Sequence, residues 1–258
     1  MSPSRAHRLE DLDIGVLCGL WALLASRDIR RPTAPTESMA VSVMDQLQTL
    51  GVIAVPWPAP RWELPPRGFV TPIEQLAWDY AWPEVEVEGL EAHIEDLLRS
   101  YARERSLLEE RVGFWRVLIQ SECTEYLQFQ LTKHGLDPAW ASDLQWLPPH
   151  YLDTLSLARW KYLIWSGVRQ GAMECLRSRF DPKQTRDAIA ATLASPSRLS
   201  YAHQGSFDGF LPRTDTPHSL IAEVFATHAA RLGRRYWTEA PAEGPMIPSA
   251  SPRTISAP

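Results

Sequence analysis

The stretch 200–218, SYAHQGSFDGFLPRTDTPH, is the segment best equipped to form a site. It holds His203, Asp208, Arg213, Asp215 and His218, and Gly205 and Gly209 let backbone approach a ligand closely. Two imidazoles, two carboxylates and a guanidinium suit a small molecule or a peptide. Convergence of His203, Asp208 and His218 in a deep pocket would instead mark an enzyme of unfamiliar helical type. A long polar loop of this kind also serves as an ordinary connection between helices.

A second constellation is electrostatic. Arg169, Arg177, Arg179, Lys183 and Arg186 fall on two adjoining predicted helices and together would form one basic face. Residues 71–110 carry eleven acids against three arginines, whereas the whole chain has a formal net charge of −5. The basic face can therefore meet the acidic block within the fold, or an acidic partner outside it.

Familiar catalytic and metal signatures are missing. There is no Gly-x-Ser-x-Gly, phosphate loop or Gly-x-Gly-x-x-Gly. No glutamate precedes any of the seven histidines by three positions, as it would in a carboxylate-bridged bundle. Cys18, Cys123 and Cys175 are far apart, form no C-x-x-C pair and lie in apolar helical surroundings. They read as reduced core thiols of a cytoplasmic protein. Glu122 and Glu125 share one face of a long helix and read as solvated or salt-bridged carboxylates.

The elements that position these residues are helical. Thr71-Pro72, Asp137-Pro138, Asp181-Pro182 and Thr216-Pro217 each pair an N-capping side chain with a proline whose missing N–H costs a first helical turn nothing. Apolar spacing predicts helices over 12–26, 38–50, 71–82, 88–105, 107–134, 157–180 and 182–193, with a last one from 217 to Gly233. Within 157–180, Trp160, Leu163, Ile164, Val168, Met173 and Leu176 are assigned to the buried side. Gly167 and Gly171 lie one turn apart there, where glycine costs about 1 kcal/mol relative to alanine. Close approach of a neighbouring helix would compensate. Eleven tryptophans suit helix–helix seams.

The fold class is thus all-α, an irregular multi-helix bundle. Its divisions are a small helical module at 1–55, a proline-rich linker at 56–70, a main helical domain at 71–236 and a disordered tail at 237–258. The linker contains PWPAPRWELPPRG, too rich in proline for a helix or a sheet interior. The tail is rich in Pro, Ala and Ser.

The N-terminal module has a helix, a polar loop, a second helix ending in Gln46-Leu47-Gln48-Thr49-Leu50-Gly51-Val52-Ile53, and a short strand over 52–55. This order resembles the core of a winged-helix module and implies a DNA-associated regulator. The would-be recognition helix departs from that pattern: it carries Glu37 and Asp45 and no lysine or arginine. Neither a second strand nor a glycine turn for a wing is visible after it.

The reading that follows is a cytoplasmic, non-enzymatic helical protein that binds other macromolecules, chiefly proteins, as an adaptor or regulator. It implies no cofactor, no metal, no membrane partner and no nucleic acid bound by the chain alone. The alternatives are a DNA-associated regulator and an enzyme with a site in 200–218. Because DNA affinity leans on phosphate neutralisation, duplex DNA should bind no better than about 10⁻⁵ M near physiological salt. An anisotropy titration checks this, and salt-sensitive binding below about 10⁻⁶ M would promote the winged-helix reading.

Overall fold

A computed structural model describes residues 8–54, 78–82, 88–143, 154–195, 198, 201, 210 and 219–246. The architecture is all-α with a single two-stranded ribbon among the described residues. The Thr71-Pro72 and Thr216-Pro217 helix starts and the proline-rich linker lie outside them.

Helix α1 (Ile14–Ala25) is the axis of the molecule. Ten of its twelve residues are buried, because IGVLCGLWALLA offers no polar side to water. The Asp13 carboxylate accepts from the Val16 N–H at 2.7 Å, capping its start. Helix α2 (Glu37–Thr49) is capped by Thr36 and ends at Gly51, φ +74°, as expected of a C′ glycine. The Val52 N–H then donates to the Leu47 carbonyl at 2.9 Å. Gly19 lets α2 approach α1: a Cβ there would lie 2.7 Å from Val43 Cγ1.

Strand β1 (Ile53–Ala54) pairs antiparallel with β2 (Asp79–Tyr80), Ile53 opposite Tyr80 and Ala54 opposite Asp79. This corrects two expectations. A second strand exists, and the helix predicted to run to residue 82 does not reach residue 79. The pairing is long-range, and two residues are too few to show a strand's alternation.

Helix α3 (Leu90–Tyr101) stops short of the expected residue 105, and a 3₁₀ turn (Arg105–Leu107) leads into α4 (Leu108–Lys133). The corner is held by Arg111, only 2% exposed. Its guanidinium donates to the carbonyls of Ala102 at 2.9 Å and Glu104 at 3.0 Å, taking up oxygens that helix termination leaves without N–H partners. Gly135, φ +70°, follows α4 one residue past the end predicted at 134. A short α5 (Trp140–Asp143) comes next, its approach shaped by the Asp137 carboxylate accepting from the Ala139 N–H.

Helices α6 (Leu157–Arg177) and α7 (Pro182–Leu193) form an antiparallel pair. Asp181 caps α7 and Pro182 takes its first position, as the sequence predicts. Ser156 occupies the N-cap position of α6, but its side chain makes no cap hydrogen bond. Helix α8 (Leu220–Val224) widens into a π-helical turn (Phe225–Ala229), and α9 (Arg235–Thr238) follows. The loop before α2 serves α8: Pro32 and Thr33 carbonyls accept from the Leu220 and Ile221 N–H groups, and Arg31 pairs with Glu223.

Helix α1 packs on α2, α3, α4 and α8, while α6 packs on α4, α7 and α9. Buried side chains from Leu9 to Met246 make one cluster. Trp237 and Met246 belong to it, so residues 237–246 are part of the folded body where composition places a disordered tail. Two buried apolar side chains outweigh the local Pro and Ala content. Among the described residues, no helix is long and apolar enough to cross a membrane.

The glycine face of α6 meets α7 as expected. A Cβ on Gly167 would lie 3.3 Å from Leu193 Cγ, and one on Gly171 would run into Ile189 while sitting 3.3 Å from the Thr185 carbonyl. Gly171→Leu should therefore cost about 1–3 kcal/mol. A thermal melt checks it, with a lowered Tm expected.

Candidate interaction surface

The outer side of α6 carries a stripe at helical spacing: Tyr162, Trp165, Arg169, Met173, Leu176 and, just past the helix, Phe180. The opposite side buries Leu157, Trp160, Leu163, Ile164, Gly167, Val168 and Gly171. Met173 is 42% exposed and Leu176 71%, which corrects the expected placement of these two in the core, and Phe180 is 70% exposed. The geometry explains the error. At about 100° per residue, Met173 and Leu176 lie roughly 200° and 140° around the helix from Gly171, the residue pressed against α7. Among the described residues, the other exposed large apolar side chains are Tyr201, Ile29 in a loop, and Val117 and Phe129, twelve residues apart on α4.

The stripe begins in an aromatic cluster. Tyr162 lies with ring centroids 6.2 Å from Trp165, 5.6 Å from Tyr201 and 5.6 Å from Phe210, and Trp165 lies 5.9 Å from Phe210. Tyr201 and Phe210 belong to the 200–218 segment, so two of its residues seat on this face. Its candidate site residues His203, Asp208, Arg213, Asp215 and His218 lie outside the described residues.

The expected basic residues distribute around the same stripe, with one turned away. Arg169 is exposed, its guanidinium 5.4 Å from the Trp165 ring centre. Arg177 is exposed and 4.0 Å from Glu174. Arg179 and Lys183 are exposed at the α6–α7 turn. Arg186 is half-buried over Trp140 of α5, where its charge and its stem both serve packing. Asp181 is occupied in capping α7, and Asp187 is the exposed acid one turn after Lys183.

Described acids of α3 are engaged elsewhere. Glu95 of α3 accepts from Trp21 Nε1 at 3.2 Å and from Arg99 at 2.6 Å, and Asp96 accepts from Arg99 at 2.6 Å. Among the described residues, none of Arg169, Arg177, Arg179 or Lys183 pairs with an acid of α3.

The backbone at the end of α6 is strained. Arg179 and Phe180 have φ of +54° and +70°, a left-handed pair with no glycine. The Phe180 N–H donates to the Cys175 carbonyl at 2.7 Å, closing the helix in a Schellman-type turn that normally uses glycine. A side chain in this region costs about 1–2 kcal/mol.

Other groups are built for structure. Glu122 is buried and 3.6 Å from Lys161 Nζ, an ion pair that ties α4 to α6. Cys18 and Cys123 are fully buried, and burial pushes both thiols well up, away from the reactive thiolate. A cleft of about 350 Å³ lies between the start of α1 and the end of α2, lined by Asp11, Asp13 and Asp45 with Leu12, Val16 and Leu50. Among the described residues, no group of three or more His, Cys, Asp or Glu side chains is placed to hold a metal ion. Compared with protein-family models, curated proteins and solved structures, the chain matches none.

The strain at the turn is testable by itself. Arg179→Gly removes the Cβ penalty at the C′ position and should stabilise by about 1 kcal/mol, less whatever glycine adds to unfolded-chain freedom. A melt should show a Tm raised by roughly 2–4 °C.

Proposed function

We propose that this chain is a non-enzymatic helical binding protein, an adaptor or regulator, and that the outer face of α6 receives a protein partner. One observation carries the reading: Leu176, in the last turn of α6 near Met173, and Phe180, in the strained turn that follows, are each about 70% exposed, and the strain at Phe180 gains it little burial within the chain. Contiguous exposed apolar side chains with a polar rim are the usual mark of an interaction site. Free Cys18, Cys123 and Cys175 support a reducing, cytoplasmic setting.

The DNA-associated alternative gains a second strand from the β1–β2 pair. It loses more at the surface, because the cleft beside α2 is lined by three aspartates and would repel phosphate. The enzyme alternative rests on 200–218 and has no further support from the described residues.

The test is a double substitution, Leu176→Asp with Phe180→Asp, used as bait beside the wild type in a pull-down from the native host. Partners identified by mass spectrometry should be lost from the variant while its Tm stays within about 2 °C, as surface substitutions allow. Equal recovery of every partner by an intact variant would overturn the proposal.

A further inference from the structure

We infer that the partner engages the α6 face through an acidic amphipathic segment, apolar on one side and bordered by aspartates or glutamates. This rests on the proposed docking role of that face and adds the chemistry of its occupant. Met173 and Leu176 stand at i and i+3 on α6, and Phe180 follows in the turn just past the helix end. That spacing matches apolar residues repeating every three or four positions on a partner helix. Around them stand Arg169, Arg177, Arg179 and Lys183, all exposed. Against these four cations the immediate acids are few: Glu174 lies 4.0 Å from Arg177, Asp181 is turned to the α7 backbone, and Asp187 is one turn further on. The apolar centre therefore sits within a positive rim, and complementarity requires a negative one.

Other occupants fit less well. Nucleic acid needs hydrogen-bonding and stacking groups at the centre, where this face has a methionine, a leucine and a phenylalanine. A net charge of −5 opposes a polyanion or an anionic membrane at long range. A second copy would have to offer its acidic α3, yet none of the large exposed apolar side chains described belongs to that helix.

The probe is a labelled synthetic peptide of about 18 residues, five helical turns, with leucine and phenylalanine on one side and glutamate flanking them. It is titrated by anisotropy against the full chain, beside the same peptide with lysine for glutamate and beside vesicles containing phosphatidylserine. The acidic peptide should bind, with affinity falling as salt screens the rim. Leu176→Asp with Phe180→Asp should abolish binding, and Arg177→Glu with Arg179→Glu should weaken it at least about tenfold. No binding, equal binding of both peptides, or preference for the vesicles would overturn the inference, as would a dimer that the Leu176→Asp, Phe180→Asp variant abolishes. A host protein captured through Leu176 and Phe180, but cross-linked by a segment without flanking acids, would overturn this chemistry and leave the docking role standing. Retention of host partners by the double variant would remove both.

Discussion

Helix α1 has no side that tolerates water, and the surrounding architecture follows from covering it. A twelve-residue helix that is apolar all round must be enclosed, and α2, α3, α4 and α8 enclose it. Close approach is secured by small residues at the contacts: Gly19 accommodates Val43, and a Cβ on Gly15 would lie 3.0 Å from the Phe114 ring. The polar consequences are handled at the ends. Glu110 of α4 accepts from the Ile14 N–H at 2.8 Å, and Trp21 uses its one polar atom on Glu95 of α3. The acids of the 71–110 block therefore act partly as struts for α1, which leaves fewer of them to neutralise cations elsewhere.

What was legible in the sequence is what short-range chemistry decides. Asp181-Pro182 opens a helix because the carboxylate reaches two nearby N–H groups and the proline needs none. Gly51 and Gly135 close helices because their φ values are left-handed. Gly167 and Gly171 imply a close neighbour because only contact repays glycine inside a helix. The missed features depend on distant partners. Strand β2 exists through β1, some twenty-five residues earlier in the chain. Helix α3 ends where a guanidinium from α4 can serve its carbonyls. Trp237 and Met246 are held by a body that local composition cannot report.

The α6 face belongs to a third category, legible but misread. Periodicity across Trp160, Leu163, Ile164 and Val168 marks the packed side, but it extends to Met173 and Leu176 only if every apolar residue of the helix faces inward. The two glycines already fixed which side is packed, and measured from them both residues point outward. The candidate side chains at 200–218 are a different matter. Tyr201 and Phe210, the two described residues of that segment, lie on Tyr162 and Trp165 of α6, one of the two helices that carry the basic residues.

Magnitudes indicate why such a turn would persist. Two left-handed side chains cost about 1–2 kcal/mol each, and one backbone hydrogen bond returns about 1 kcal/mol net. Within the free chain, Phe180 adds little, since most of its surface stays in water. Fully burying a leucine or phenylalanine contributes about 1.5–3 kcal/mol, so covering the exposed parts of Leu176 and Phe180 is of the same size as the strain. The rim charges would then decide which partner covers them, because long-range charge favours one sign of neighbour before any contact forms. The regular helix positions Met173 and Leu176, the strained turn positions Phe180, burial supplies affinity and charge supplies selectivity, all at the same α6–α7 corner.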